Sequence, residues 1–126
     1  MAAFYKIDKE RKLVMTTASG VLTMAEALGH QEKLRKDPDF APSFSQLFDV
    51  THVTDVQLTA EDVRALARRS VFSPDSRRAI LVNSDLKFGL ARMFEVLRDT
   101  MGEKGIRVFR NLDDALEWIF AKDQEV

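Results

Sequence analysis

The residues most able to do chemistry stand together in one short segment, residues 49–55. It holds two carboxylates, an imidazole and two hydroxyls, from Asp49, Thr51, His52, Thr54 and Asp55. A hydrolase built from these groups would need a nucleophile held by its base, and a third group that orients the base. Neighbours in one loop rarely place their side chains in that way, and short polar residues favour loops and caps through local hydrogen bonds. The sequence therefore favours a non-catalytic protein, with an enzyme using residues 49–55 as the weaker alternative.

Metal and cofactor chemistry have little support. The chain has no Cys, and its two histidines, His30 and His52, lack the paired spacing of metal ligands. The segment NSDLKFG, residues 83–89, has one glycine and lacks the spacing of a phosphate-binding loop. We therefore expect no metal and no cofactor.

The composition is that of an ordinary globular protein. Its 126 residues, 45% hydrophobic and 31% charged, predict one domain over residues 1–126. Nineteen Lys and Arg against twenty Asp and Glu give a net charge of -1, which disfavours a nucleic-acid partner. No apolar run approaches the roughly 18 residues of a membrane span, and the N-terminus lacks a signal-peptide pattern. Together with the absence of Cys, these features predict a soluble cytoplasmic protein.

The hydrophobic pattern predicts an α/β fold. AFYKID and RKLVMTTAS predict an N-terminal β-hairpin, and a helix should follow from Thr23, which has capping-box spacing to Glu26. The runs SQLFDV, AILVN and GIRVFR predict three further strands. The helices after them should begin at Thr59, Ser84 and Asn111. The fold class is therefore a mixed sheet, built from a β-hairpin, a helix and three βα units.

The carboxyl ends of the predicted strands form a candidate ligand site. Ligands of parallel sheets favour this edge, where helix N-termini point their free N–H groups outward. Its candidate ligand-binding residues are Thr51, His52, Thr59 and Ser84. Five arginines lie around one helix end and the following loop: Arg64, Arg68, Arg69, Arg77 and Arg78. They suit the helix dipole, or else a small anionic or lipid-like ligand, or an acidic partner.

The helix predicted from about Leu86 to Met101 also raises the possibility of an interface. Its apolar stripe, which we expect to face the core, is Leu86, Leu90, Met93, Phe94, Leu97 and Met101. Phe88 falls on the opposite face, beside Arg92. A neighbouring loop could cover it, or it could be an exposed anchor for a protein partner or a second copy of the chain. Trp118, on the flank of the last helix, is a second interface candidate.

AILV with FGLARMFE, and IRVFRNLDDALEWI near the C-terminus, carry a resemblance to a known family. With this layout the chain resembles the SpoIIAA-like family, relatives of the STAS domains of anti-sigma factor antagonists and anion transporters. The resemblance covers nearly the whole chain. It implies a mixed sheet of strands and helices, and a role in binding and regulation more than in catalysis.

The resemblance also draws attention to Thr59. It implies that in the antagonists a serine at a helix N-terminus, after the third strand, is phosphorylated and switches partner binding. The corresponding stretch here, QLTA, keeps only the hydroxyl of Thr59 and lacks the adjacent Ser and the Gly. Since Thr59 is also the expected helix cap, its capping role explains its presence without a phosphoswitch.

These observations favour a non-catalytic SpoIIAA-like regulatory module. Its expected partner is another protein or a second copy of itself, bound through Phe88, Arg92 and Trp118. The alternative is a module that binds a small anionic or lipid-like ligand at the strand ends.

Overall fold

The computed structural model describes residues 3–69 and 71–121. Within these ranges the chain forms five strands and four helices in the predicted order. The elements are β1 Ala3–Asp8, β2 Leu13–Thr23, α1 Met24–Lys36, β3 Ser45–Gln57, α2 Ala60–Ala67, β4 Arg78–Leu81, α3 Asp85–Thr100, β5 Ile106–Phe109 and α4 Leu112–Phe120.

The five strands form one sheet in the order β1-β2-β3-β4-β5. β1 pairs antiparallel with β2, and every other neighbouring pair is parallel. The prediction of a mixed α/β sheet that opens with a hairpin is therefore confirmed.

Each helix begins at a residue whose side chain caps it, as the sequence predicts. The four caps are Thr23, Thr59, Ser84 and Asn111. At Thr59 both bonds of a capping box are present: Thr59 Oγ1 accepts from the Asp62 N–H, and Asp62 Oδ2 accepts from the Thr59 N–H, each at 3.0 Å. After α3, Gly102 has a φ of 95°, the left-handed conformation expected at a helix C-terminus.

The helices cover both faces of the sheet. Because side chains alternate along a strand, Leu13 and Leu47 point to one face, while Val14 and Phe48 point to the other. α4 packs on the first face through Ala115 and Ile119. α1 and α3 contact the sheet, and α2 contacts α3 and α1. These three helices enclose the second face, which carries the candidate site.

Two strands are longer than predicted. β2 continues beyond the predicted run through residues 20–23 and β3 through residues 51–57, and the two extensions pair with each other with register irregularities. The prediction that residues 49–55 form a loop is therefore wrong. A strand with one solvated face contains many polar residues, so its composition resembles that of a loop. This resemblance explains the error.

The inward face of α3 also differs from the prediction. Leu86 and Met101, assigned to the core stripe, are 66% and 45% exposed. The cavity-facing residues of α3 are Lys87, Leu90, Ala91 and Phe94. Leu90 and Phe94 of the predicted stripe do face the cavity, so the prediction is wrong at the two ends of the stripe and misses Lys87, a residue that an apolar pattern does not count.

Candidate functional site

Residues 49–55 lie on β3, and the side chains of Asp49, Thr51 and His52 contact one another. Thr51 Oγ1 donates to Asp49 Oδ1 at 2.6 Å, and the Thr51 N–H donates to the same oxygen at 2.8 Å. His52 Nδ1 lies 3.2 Å from Thr51 Oγ1 and 4.0 Å from Asp49 Oδ2. The His52 side chain is 68% exposed. With the Thr51 hydroxyl already donating to Asp49 and the imidazole in water, the geometry lacks the enclosed nucleophile and base of a hydrolase.

The other predicted ligand residues, Thr59 and Ser84, are the helix caps of α2 and α3. Their side-chain oxygens accept backbone N–H groups of the first helical turn. The structure brings Ser84 near Thr51 only indirectly, through Asn83, whose amide donates to the Thr51 carbonyl oxygen at 3.1 Å. The ligand-binding role of Thr51, His52, Thr59 and Ser84 stays a prediction.

A cavity of about 140 Å³ lies between the sheet and helices α1, α2 and α3. Its apolar lining comes from the second face of the sheet and from all three helices. The lining includes Leu22, Ala27, Leu34, Phe48, Val50, Val56, Val63, Leu66, Phe72, Ile80, Leu90, Ala91 and Phe94. The four predicted ligand residues are not among the described residues that line it. Leu90 and Phe94 belong to the apolar stripe that the sequence predicts as core, but hydrophobic periodicity has no means of showing that core residues leave a space between them.

Five polar side chains also line this cavity. They are His30, Gln31, Gln46, Arg78 and Lys87. Two are cationic, and no Asp or Glu occurs among the described lining residues. Pockets with an apolar wall and a few polar groups are typical ligand sites, since the polar groups orient what the apolar wall holds.

A chain of buried hydrogen bonds runs along one side of the cavity. Arg78 Nε donates to Gln46 Oε1 at 3.1 Å, and Gln46 Nε2 donates to Thr16 Oγ1 at 3.1 Å. Thr16 Oγ1 lies 3.1 Å from His30 Nε2, to which the hydroxyl can donate its own proton. Gln46 and Arg78 sit side by side because β3 and β4 pair them in register. This series of hydrogen bonds connects α1 to the middle of the sheet, and each polar group in it has a partner.

Arg78 is the most constrained charge in the site. It is 8% exposed, and Phe72 and Phe94 flank its guanidinium at 4.3 and 5.6 Å from their ring centroids. Arg78 Nη1 donates to Glu103 Oε1 at 2.9 Å, and Glu103 Oε2 also accepts from Arg98 Nε at 2.8 Å. Burial lowers the pKa of Arg78, and the carboxylate of Glu103 opposes that shift.

This placement corrects the expectation that the five arginines act together around a helix end. Arg78 is a buried strand residue, whereas Arg64 is exposed and pairs with Glu61. Arg77 points to the other face of the sheet, where Nη1 donates to the carbonyl oxygens of Trp118 and Ala121 at 2.8 and 2.5 Å. The only sign of the buried position of Arg78 in the sequence is that this polar residue directly precedes the apolar run AILV.

His30 lies on α1 beside the same cavity. Its ring packs edge-on against Tyr5 at 5.6 Å and stacks on Phe48 at 6.0 Å. Burial lowers the pKa of His30 to about 4, with the charges of Arg78 and Lys33 adding to the effect. At neutral pH His30 is therefore uncharged, and its Nε2 is available to accept the proton of Thr16.

Gln31, the next residue of α1, carries a buried polar atom that the described residues leave unsatisfied. Its Oε1 is enclosed and has no hydrogen-bond partner among residues 3–69 and 71–121. A buried acceptor of this kind costs about 1 to 3 kcal/mol when no donor reaches it.

The predicted interface residues are only partly available. Phe88 packs against the buried cluster of the second sheet face, and the guanidinium of Arg110 covers its ring at 4.9 Å. The prediction that Phe88 falls on the face opposite the core is therefore wrong. Arg92 is exposed and pairs with Glu95. Trp118 is half-buried. The guanidinium groups of Arg77 and Arg107 lie 5.8 and 5.5 Å from the centroid of its ring.

Two kinds of feature are absent from the described part of the chain. Over residues 3–69 and 71–121, no group of three or more His, Cys, Asp or Glu side chains is placed to hold a metal ion. Within the same residues, no helix combines the length and the apolar character needed to cross a membrane.

Solved structures of other proteins share this architecture. An uncharacterized protein of the DUF3478 family from Shewanella loihica, with a SpoIIAA-like fold, aligns over 94% of both chains with a TM-score of 0.62 and 20% sequence identity. An anti-sigma factor antagonist from Mycobacterium paratuberculosis aligns over 93% of both chains with a TM-score of 0.58 and 13% identity. The sequence matches no protein-family model and no curated protein. The likeness establishes that the chain has a SpoIIAA-like fold, as the sequence predicts.

Proposed function

We propose that this chain is a non-catalytic regulatory domain that binds a small, mostly apolar ligand between its sheet and helices α1, α2 and α3. The observation that supports this function is the cavity of about 140 Å³. Its wall is mostly apolar, so a small apolar ligand that enters it removes apolar surface of both partners from water.

The proposal moves the ligand hypothesis from the strand ends to the interior. The two places meet at Lys87, which lines the cavity. Lys87 Nζ donates to Asn83 Oδ1 at 2.9 Å and lies 3.5 Å from the carbonyl oxygen of Thr51. Residues 49–55 and the segment before α3 would thus position a cavity residue rather than bind the ligand themselves. The regulatory part of the proposal is supported by the anti-sigma factor antagonist that shares the fold.

Titration with toluene, followed by two-dimensional NMR of the amide groups, tests the cavity. We expect the largest shifts at Val50, Ile80 and Ala91, which line it on the sheet and α3. The variants Ala27→Leu and Ala91→Leu, on different helices, fill the space and should each abolish these shifts. Ala60→Leu, on the exposed first turn of α2, is the matched control and should leave them unchanged. Shifts that survive both filling variants would refute cavity binding.

A protein interface on α3 is the second candidate function. Leu86 and Val96 are large apolar side chains on this helix, and they are 66% and 48% exposed. Arg92 is exposed one turn before Val96. Arginine is enriched at protein interfaces. In this proposal Phe88 contributes only at the margin, since it is half-buried beneath Arg110.

Light scattering coupled to size-exclusion chromatography distinguishes self-association through this surface from association elsewhere. If a second copy binds through α3, Leu86→Asp and Val96→Asp should each convert dimer to monomer. Phe120→Asp, which changes an exposed aromatic residue on α4, is the matched control. A dimer that persists in both α3 variants would exclude this surface as the site of self-association.

A further inference from the structure

The size of the cavity limits what it can hold. Sites for drug-sized ligands span about 300 to 1,000 Å³, whereas a cavity near 150 Å³ accommodates a single benzene ring. At about 140 Å³, this cavity fits one six-membered ring with a short substituent. Phe48, Phe72 and Phe94 are in its wall, and aromatic rings pack favourably against one another edge-on.

The charge of the lining determines the substituent. Arg78 and Lys87 are the cationic residues of the wall, and the described wall contains no carboxylate. Behind the wall, the single carboxylate of Glu103 is shared by Arg78 and Arg98, so these three side chains together carry one net positive charge. In apolar surroundings, charges interact more strongly than in water. An anionic group is therefore favoured in the cavity, and a cationic group is disfavoured.

The guanidinium of Arg78 favours a carboxylate in particular. Hydrogen bonds between a guanidinium and a carboxylate are charge-assisted, and the flat faces of a guanidinium stack on aromatic rings. Here Phe72 and Phe94 flank the Arg78 guanidinium, its Nε donates to Gln46 and its Nη1 donates to Glu103. The group is thus fixed in orientation before any ligand arrives.

From these observations, and resting on the proposed cavity-binding function, we infer that the ligand is a monocyclic aromatic carboxylic acid. Its ring lies against Phe48, Ile80 and Ala91, and its carboxylate is directed toward Arg78.

Three probes of nearly identical shape and different charge test this inference on the full chain. Benzoate is the planar anion, nitrobenzene its neutral isostere and benzamidine its planar cation. At fixed ionic strength, calorimetry or NMR titration should show benzoate binding at least about tenfold more tightly than nitrobenzene, as charge-assisted hydrogen bonds imply. Benzamidine should bind more weakly than either.

The outcomes separate the two proposals. If nitrobenzene binds as tightly as benzoate, or benzamidine binds most tightly, the carboxylic-acid inference is wrong while cavity binding stands. If none of the three probes binds, both proposals are wrong.

Variants assign the preference to the wall residues. Arg78→Met should weaken benzoate binding about tenfold or more and leave nitrobenzene unchanged. Because Arg78 is buried and paired, circular dichroism must first show that this variant folds. If Arg78→Met does not fold, Lys87→Met, at a partly exposed position, tests the same charge preference. Lys104→Met, whose exposed side chain pairs with Asp99, is the matched control. An unchanged ratio of benzoate to nitrobenzene affinity in the folded cavity variants would overturn the inference.

Discussion

Arg78 and Glu103 form an ion pair inside the protein, with Arg78 Nη1 at 2.9 Å from Glu103 Oε1 and exposed fractions of 8% and 1%. The pair joins the first residue of β4 to the segment between α3 and β5. Arg98, near the end of α3, binds the second oxygen of the same carboxylate. Removing buried charges from water is costly, so each charge in this group depends on the others for compensation.

Glu103→Gln should therefore be strongly destabilising. The substitution keeps the shape of the side chain but leaves the guanidinium groups of Arg78 and Arg98 without their shared carboxylate. We expect a loss of about 3 to 5 kcal/mol in the free energy of unfolding, measured by urea denaturation. The matched control is Asp99→Asn, which breaks the exposed pair with Lys104 and should cost less than about 1 kcal/mol. Equal effects of the two substitutions would contradict the buried network.

His30 should make the protein less stable in mild acid. Burial and the nearby charges of Arg78 and Lys33 lower its pKa from 6.5 to about 4. Between these values the unfolded chain binds a proton that the folded chain does not, so stability is full above pH 6.5 and falls as the pH falls toward 4. At about 1.4 kcal/mol per pH unit, the loss over this window approaches about 3 kcal/mol.

Comparing urea denaturation from pH 7 to pH 4 in the wild type and in His30→Gln isolates this effect. The carboxylates titrate in both proteins, so the difference between the two curves reports His30. We expect the difference in free energy of unfolding between the two proteins to shrink as the pH falls. Only the wild type loses stability by protonating the His30 ring. His52→Gln, at an exposed imidazole, should follow the wild-type curve. Parallel curves for His30→Gln and the wild type would refute the assignment.

The features that sequence analysis predicted correctly depend on neighbouring residues. The cap at Thr59 needs only a hydroxyl directly before the helical pattern, and the cap at Asn111 needs only a short amide side chain in the same place. The order of strands and helices follows from local periodicity in the same way. The fold was predictable because these local signals agree with one another.

The candidate site was not predictable, because it depends on distant residues. Arg78 and Glu103 are 25 positions apart and meet only after β4 and α3 have folded. Gln46 bonds to Arg78 because their strands pair in register, which the sequence pattern of one strand does not show. A cavity is also a property of packing: apolar residues predict a core, and only the structure shows that the core leaves a space. Sequence reasoning therefore placed the candidate ligand site at the strand ends, on Thr51, His52, Thr59 and Ser84.

Gln31→Leu should stabilise the protein. The Oε1 atom of Gln31 is buried beside the cavity without a partner among the described residues, and leucine keeps a similar volume without a polar atom. We expect a gain of about 1 to 3 kcal/mol, measured as a rise in the thermal unfolding midpoint. Gln57→Leu, at an exposed position at the end of β3, is the control and should change the midpoint little. A lower midpoint for Gln31→Leu would show that this amide is satisfied in solution, by water or by a ligand.

Gly105→Ala should disrupt the junction that holds Glu103 opposite Arg78. A Cβ atom at Gly105 would lie 2.1 Å from the carbonyl oxygen of Ser76, far inside van der Waals contact. Ser76 cannot easily move away, because its side chain is buried and donates to the Pro42 carbonyl oxygen at 2.6 Å. Gly105 is also held in place, since its carbonyl oxygen accepts from the Arg78 N–H at 2.7 Å.

We therefore expect Gly105→Ala to cost about 3 kcal/mol or more in urea denaturation, through overpacking against a backbone atom. Gly89→Ala is the matched control, because Gly89 lies within α3 and nothing approaches the position of its Cβ within 4 Å. That substitution should stabilise the protein by up to about 1 kcal/mol, since alanine favours the helix. If both glycine variants shifted stability in the same direction, the close approach of the segment before β5 to Ser76 would be wrong. The placement of Glu103 against Arg78 would then lose its structural basis, because the two contacts share that segment.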